Sequence, residues 1–261
     1  MAILNVTPDS FSDGGAMPSI DDALRRAEQL IADGADILDI GGESTRPGSG
    51  RVAAKDEIER VVPVISAIAK RFDTPISVDT SKSQVARAAI DAGAEIINDI
   101  SGLRFDALLA PVAAESNAGL VLMHSRGTFE TMHSEGAVDD IFADVCIDFR
   151  RALTIAKASG VAAENIVLDI GIGFGKTFEQ NLELIARLDR LVAEFVDYPM
   201  LVGVSRKSFI GKLLGGAAVD QRLYGSLAAS AIALWNGANI LRTHDAKATR
   251  ELAVTVASLI D

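Results

Sequence analysis

Asp91-Ala92-Gly93-Ala94-Glu95-Ile96-Ile97-Asn98-Asp99-Ile100 carries the punctuation on which the architecture turns. A glycine between a helical pattern and an apolar run can adopt the left-handed conformation that closes a helix, and the run Glu95–Ile100 has the length and β-branched content of a strand. The arrangement recurs. Ala32-Asp33-Gly34-Ala35 precedes Ile37–Ile40, Asn117-Ala118-Gly119 precedes Leu120–Met123, and Asn236-Gly237-Ala238 precedes Ile240–Arg242. Further strands are expected at Ala2–Val6, Pro75–Val78, Ile166–Leu168 and Met200–Val204. Between the strands, apolar residues spaced for one helical face predict helices over Asp21–Ala32, Asp56–Arg71, Ser83–Ala92, Ile141–Ser159, Asn181–Phe195 and Ser226–Asn236. Strict alternation implies parallel pairing, and roughly eight such units of about 30 residues predict a single (β/α)8 TIM barrel of the α/β class. A doubly wound open sheet uses the same alternation and is the competing arrangement. No linker, low-complexity tract or charge block divides the chain, so residues 1–261 are expected to form one domain.

Composition agrees. Of the 261 residues 49% are hydrophobic but only 5% aromatic, so the core must be built from Ala, Val, Ile and Leu, which suits helices layered on parallel strands. The net charge of −11 argues against nonspecific binding to nucleic acid or an anionic membrane, and an anionic ligand would need a local basic cluster. Cys146 is the only cysteine; it can form no internal disulfide, which fits a reducing cytoplasm. The chain start lacks the basic and apolar segments of a signal peptide, and no run reaches 18 apolar residues.

The active site of a TIM barrel lies at the C-terminal ends of its strands, and here those ends are rich in polar residues. Collected, they are Asn5, Asp39, Asp79, Asn98, Asp169, Lys207, Arg242 and His244. Any strand leaving a core meets polar loop residues, but charge on nearly every strand favours a site. The loops Asn5–Gly15 and Gly41–Ser49 are long, Gly-rich and hydroxyl-bearing, as functional lids are. Gly171-Ile172-Gly173-Phe174-Gly175-Lys176-Thr177 imitates two phosphate-binding fingerprints and satisfies neither: Ile170 stands where a Walker loop needs its first glycine, and the third glycine comes one residue too early for a dinucleotide fold. Its glycines instead suit close backbone approach to a flat ligand on which Phe174 stacks. His124, His133 and His244 lack zinc spacing. His133 reads as a solvated loop residue, and His124 as either site lining or a satisfied polar group. His244 lies two residues after Arg242, which puts both on one strand face as an anion-binding pair.

The segments Asn5–Gly15, Asp39–Gly48, Ser77–Thr80, Ile97–Gly102, Leu122–His124, Asp169–Lys176, Ser205–Phe209 and Arg242–Asp245 run in the order found in the dihydropteroate synthase family, and the chain resembles that family over essentially its whole length. The resemblance implies a transferase of folate biosynthesis that condenses 6-hydroxymethyl-7,8-dihydropterin diphosphate with p-aminobenzoate. By it, Asp79, Asn98, Asp169 and Lys207 hold the pterin, with Ile100, Met123, Phe174, Asp39 and Arg242 around them. Asn5, Arg242 and His244 hold the diphosphate, with Mg2+ between Asn5 and phosphate oxygens. Phe11, Thr45, Arg46, Pro47 and Ser205 shape the p-aminobenzoate site. Asp79, Lys207, Arg242 and His244 are the implied catalytic residues, and a homodimer through the last two helices is the implied assembly. A pterin-binding methyltransferase using a corrinoid partner, and a pterin-binding protein without catalysis, are the alternatives.

The residue chemistry agrees independently. A pterin edge presents an amino group and a ring N–H, for which a buried carboxylate such as Asp169 is the natural acceptor. Two details depart from or sharpen the resemblance. Asp169-Ile170-Gly171 replaces the family's Asp-Pro-Gly, and Lys207 is followed directly by Ser208-Phe209, which implies sensitivity to sulfonamide mimics of p-aminobenzoate.

Overall fold

The computed structural model describes residues 1–7, 19–45 and 48–260; Phe11, Arg46 and Pro47, expected near p-aminobenzoate, lie outside the described residues. Strand and helix alternate throughout. Ala2–Asn5 (β1) leads to Ile20–Ala32 (α1), Leu38–Gly41 (β2) to Ala54–Ala69 (α2), Ile76–Asp79 (β3) to Ser83–Asp91 (α3), Ile96–Asp99 (β4) to Leu109–Ser116 (α4), and Gly119–Met123 (β5) to Ile141–Ala158 (α5). Ile166–Asp169 (β6) is followed by Phe178–Ala186 (α6) and Leu188–Glu194 (α7), Met200–Val202 (β7) by Ser208–Leu213 (α8) and Leu223–Trp235 (α9), and Ile240–Leu241 (β8) by Ala246–Ile260 (α10).

Each strand pairs in parallel with the next, in the order β1 to β8. A parallel bridge between Ala2 and Thr243 joins the last strand to the first, with Ile3 N donating to Thr243 O and Thr243 N to Met1 O. The ring is therefore a TIM barrel rather than an open sheet.

The strands' two-residue period accounts for both the core and the mouth. Leu38, Ile40, Val78, Ile97, Leu120, Leu122, Leu168 and Val202 point outward and pack with the helices. On the opposite face Ile37, Ile96, Val121, Val167, Leu201 and Ile240 meet Met1 in a separate apolar plug at the barrel floor. Two residues further along the same inward rows stand Asp39, Asn98, Met123, Asp169 and Arg242. Alternation thus lifts each polar residue directly above a floor hydrophobe.

Differences from the predicted helices have local causes. Gly34, Gly93 and Gly237 take positive φ as expected, but before β5 it is Asn117 (φ 53°), not Gly119, that adopts the left-handed conformation. The helix expected over Asn181–Phe195 breaks at Arg187, whose φ of −129° separates α6 from α7. Helix α4 has a proline in its first turn, where no backbone N–H is missed.

One buried ion network ties the second strand's loop to its helix. Lys82 Nζ bonds Glu57 and, at 2.9 Å, Glu43, while Glu43 Oε1 also accepts from Val52 N at 2.5 Å. Glu57 is fully buried; burial raises its pKa, with Lys82 acting in the opposite direction. Lys82→Met leaves that carboxylate without its cation, so we expect a loss of about 3–5 kcal/mol at pH 7. With Lys82 gone the folded pKa of Glu57 rises further above its unfolded value, so the variant's deficit grows as pH climbs between the two and shrinks in acid. Urea unfolding at pH 7 and at pH 4.5 checks both; equal deficits at the two pH values would contradict the assignment.

Candidate active site

The barrel mouth gathers polar side chains from the ends of seven strands, β1 to β4 and β6 to β8. Arg242, just beyond β8, donates from Nε to Asp39 Oδ2 and from Nη2 to Asp79 Oδ2, each at 2.6 Å. Asn98 Nδ2 donates to the same Asp39 oxygen at 3.1 Å. One guanidinium thereby serves two carboxylates, and Asp39 Oδ1 is buried without a partner among the described residues. Burial pushes Asp79 up to about 7, pulled down by Arg242 and up again by Asp39. Burial alone would lower Arg242, but Asp39 and Asp79 outweigh it and raise its pKa. Asn5 Oδ1 and Asp79 Cβ each lie 3.5 Å from the point a side chain on Gly41 would occupy, which sets Asn5 near Asp79 on either side of that glycine.

Across the mouth stand Asp169 and Lys207. Asp169, at the end of β6, accepts from Gly171 N at 2.7 Å, which fixes its plane; burial raises its pKa, opposed by Lys207. Lys207 is lowered to about 8 by burial, opposed by Asp169. Its Nζ donates to Ile172 O and lies 4.8 Å from the centre of the Phe174 ring. The two charges attract without closing a salt bridge. Ile100, Met123 and Phe174 pack with Phe129 and Met132 into a small apolar cluster of their own.

The Ser205–Lys207 turn is laced to the end of β8. Ser205 Oγ accepts from His244 N and lies 3.1 Å from His244 Nδ1. Arg206 is held at φ 58°, with its guanidinium on Asp245 and its backbone N–H on Ser226 Oγ. Between Arg242 and His244, the Thr243 hydroxyl lies 2.9 Å from that of Thr249 and 3.5 Å from Ser205 Oγ.

The glycine loop differs from expectation in an instructive way. Gly171, Gly173 and Gly175 all have positive φ. A Cβ on Gly171 would lie 1.8 Å from His124 O, and one on Gly175 2.4 Å from Arg126 Cβ. These two glycines let the loop after β6 sit on the loop after β5. Only Gly173 faces Lys207, at 3.4 Å. Ile170, in place of proline, is fully buried in the main core. Lys176 Nζ donates to His124 O, Gly171 O and Phe174 O, and burial lowers its pKa to about 7.

The histidines sort themselves. His124 is buried, held at 3.2 Å to Asp144, and pushed down to about 3 by burial; it lines a separate 300 Å3 cavity with Arg104, Asp148 and Arg151, not the barrel mouth. His133 is not a solvated loop residue. It is half-buried, with ring nitrogens 2.6 Å from Thr45 O and 3.2 Å from Gly173 O and its ring centroid 5.2 Å from that of Phe174. Nothing in its sequence neighbourhood, Thr131-Met132-His133-Ser134, announces those distant partners. A 310 Å3 cavity lined by Met1, Asp36, Asn239 and Arg250 lies at the strands' N-terminal ends, away from this chemistry.

The family of pterin binding enzymes matches residues 1–244, which takes in every strand of the barrel and the carboxylate, ammonium and aromatic ring at its mouth. The dihydropteroate synthase of Escherichia coli is 48% identical over 96% of this chain and 88% of that one. The Yersinia pestis dihydropteroate synthase, solved with a sulfonamide drug, superposes with a TM-score of 0.93 at 43% identity over 99% of this chain and 93% of that one. That of Clostridium difficile, solved in the presence of pteroic acid, gives 0.92 at 41% identity over 99% and 95%. The chain belongs to the dihydropteroate synthase family.

Gly171→Ala should be far more damaging than Gly173→Ala. Both place an L side chain at positive φ, costing roughly 1–2 kcal/mol, but only the first drives a methyl group into a carbonyl oxygen. Thermal unfolding of the two variants compares them directly, and equal Tm values would show that the loop rests elsewhere.

Proposed function

We propose that this chain joins p-aminobenzoate to 6-hydroxymethyl-7,8-dihydropterin diphosphate, releasing 7,8-dihydropteroate and diphosphate, as one barrel domain spanning residues 1–261. The observation that carries the reading is the mutual placement of Asp169 and Lys207. An acceptor and a donor face one rim beside the Phe174 ring, their attraction not spent on a salt bridge.

Asp169, its plane fixed by Gly171 N, accepts from the pterin amino group and ring N–H; Asn98 donates and accepts on the same edge. Lys207 donates to the ring and brings positive charge towards the leaving group. Asp79 and Asp39 orient Arg242, which together with His244 and Asn5 receives the diphosphate. Ser205 and Thr45 border the p-aminobenzoate, along with Arg46 and Pro47. The bond from the exocyclic carbon to the diphosphate oxygen breaks with its electron pair leaving on the diphosphate. The arylamine nitrogen then forms the new bond to carbon and gives up a proton. That amine is uncharged near neutrality and already nucleophilic, so positioning and stabilisation of the departing charge supply the catalysis.

Mg2+ fits the residues present in one manner. Among the described residues no three His, Cys, Asp or Glu side chains converge on a metal position, while Asn5 offers a single amide oxygen at the rim. That donor set suits a hard cation held mainly by phosphate and water oxygens. When bound, Mg2+ neutralises charge on the leaving phosphates.

We also place the enzyme in the cytoplasm, as a homodimer. No helix among the described residues is long and apolar enough to cross a membrane, and Cys146 is unpaired. Helices α9 and α10 pack on one another yet leave Tyr224, Ile232, Trp235, Val254 and Leu259 exposed. Apolar side chains concentrated there suit a second copy of the chain. Trp235→Asp should shift sedimentation towards a monomer; an unchanged species would place the interface elsewhere.

The principal test is diphosphate release from the pterin diphosphate with and without p-aminobenzoate. Asp169→Ala should chiefly raise KM for the pterin substrate, by roughly ten- to a hundredfold for a lost charge-assisted contact of about 1.5–3 kcal/mol. Arg242→Ala and His244→Ala should instead lower the rate of diphosphate release. Normal pterin binding by Asp169→Ala would remove that carboxylate from the site.

A further inference from the structure

We propose that His133 is a positioning residue that latches the loop after β2, which carries Thr45, onto the loop after β6, which carries Gly173 and Phe174. The inference rests on the proposed function, in which Thr45 borders the p-aminobenzoate while Phe174 walls the pterin. His133 occupies neither substrate position. It stands on the loop after β5, and its two ring nitrogens lie 2.6 Å from Thr45 O and 3.2 Å from Gly173 O. Its ring lies 5.2 Å from that of Phe174, whose ring also lies 4.8 Å from the ammonium of Lys207. A single side chain thus touches the backbone of one substrate's loop and both the backbone and the aromatic wall of the other's.

The chemistry of the contact explains why an imidazole is needed. Carbonyl oxygens only accept, so each bond requires an N–H from the ring; a neutral imidazole carries one and donates to Thr45 O or to Gly173 O according to its tautomer, and only the imidazolium donates to both. An aliphatic residue could fill the space but could donate to neither.

Loop 43–52 is held elsewhere too, which isolates what His133 contributes. At its base Glu43 is fixed by Lys82 and Val52 N, and Arg60 Nη1 donates to Gly42 O at 2.9 Å. At its far end the Arg51 guanidinium lies 5.4 Å from the Phe105 ring and 5.5 Å from the Phe129 ring. Between these anchors His133 reaches the loop at Thr45 and ties it to the barrel mouth. Phe129 and His133 both belong to the loop after β5, so that one loop contacts the loop after β2 at both Thr45 and Arg51.

The functional consequence is a selective one. The latch orders the segment that meets the second substrate, so its loss should raise KM for p-aminobenzoate and the inhibition constant of a sulfonamide. KM for the pterin diphosphate should change by less than about twofold. Losing one neutral hydrogen bond corresponds to roughly a two- to tenfold rise. His133→Ala is the principal variant. His133→Gln, which keeps one donor and no ring, should recover part of the loss, whereas His133→Leu should recover none.

Steady-state kinetics in both substrates is the first measurement. Hydrogen exchange at the Ser44 and Thr45 amides, read against Ile97 in the sheet, is the second. We expect faster exchange at the loop amides in His133→Ala, unchanged exchange at Ile97, and a rise in KM confined to p-aminobenzoate. Unchanged loop exchange would overturn the latch whether or not the enzyme turns over. KM values rising together for both substrates would also overturn it, since a general loss of structure gives that pattern. If the native protein forms no dihydropteroate, the proposed function fails by itself while hydrogen exchange still decides the latch.

Discussion

Arg242 holds the mouth of the barrel together. It reaches from the end of β8 to Asp39 on β2 and Asp79 on β3, and Asn98 on β4 joins through Asp39. Four strands are thereby cross-linked at their C-terminal ends by one planar cation, above a floor that is purely apolar. Two carboxylates facing each other at this depth would repel and desolvate at a cost of several kcal/mol each. Arginine suits the role because its rigid fork donates in two directions at once and stays charged when buried. The same geometry limits what else Arg242 can do: with Nε and Nη2 committed to Asp39 and Asp79, only its remaining edge is left for any further contact.

The architecture is legible in the sequence because the strand–helix alternation is nearly unbroken and because helix ends are marked by glycine or asparagine. The polar rim is legible for a related reason. Asp39, Asn98, Asp169 and Arg242 each follow an inward-facing apolar residue by two positions, and that period survives in the bare sequence. Contacts between loops leave no such trace. His133 meets Thr45 across 88 positions of chain and Gly173 across 40, and neither partner contributes a side chain, so no residue pattern encodes the bond. Lys82 with Glu57 is hidden likewise, both looking like ordinary charges on helix ends. The glycines after β6 are conspicuous in the sequence, but their purpose is not. Gly171 and Gly175 answer to the loop beneath them more than to a ligand.

One left-handed residue lies directly beside Lys207. Arg206 adopts a left-handed backbone that a side chain normally avoids, and it does so where Lys207 must be turned towards the mouth. The cost is met locally by the Arg206–Asp245 ion pair, by Ser226 Oγ, and by Arg222, whose Nη1 donates to Arg206 O at 3.0 Å. Strain retained by several converging contacts is characteristic of a position whose direction matters more than its comfort.

Lys176 has a counterpart in inorganic chemistry. Its ammonium is ringed by three carbonyl oxygens at 2.8–3.2 Å from two different loops, the kind of oxygen nest that elsewhere selects a dissolved potassium or ammonium ion. Here the amine is covalently attached to the chain, so the nest keeps its occupant at every salt composition and never has to compete for it. The loop after β6 is in effect a crown ether supplied with its own guest, and its rigidity is written into the polypeptide rather than borrowed from the electrolyte.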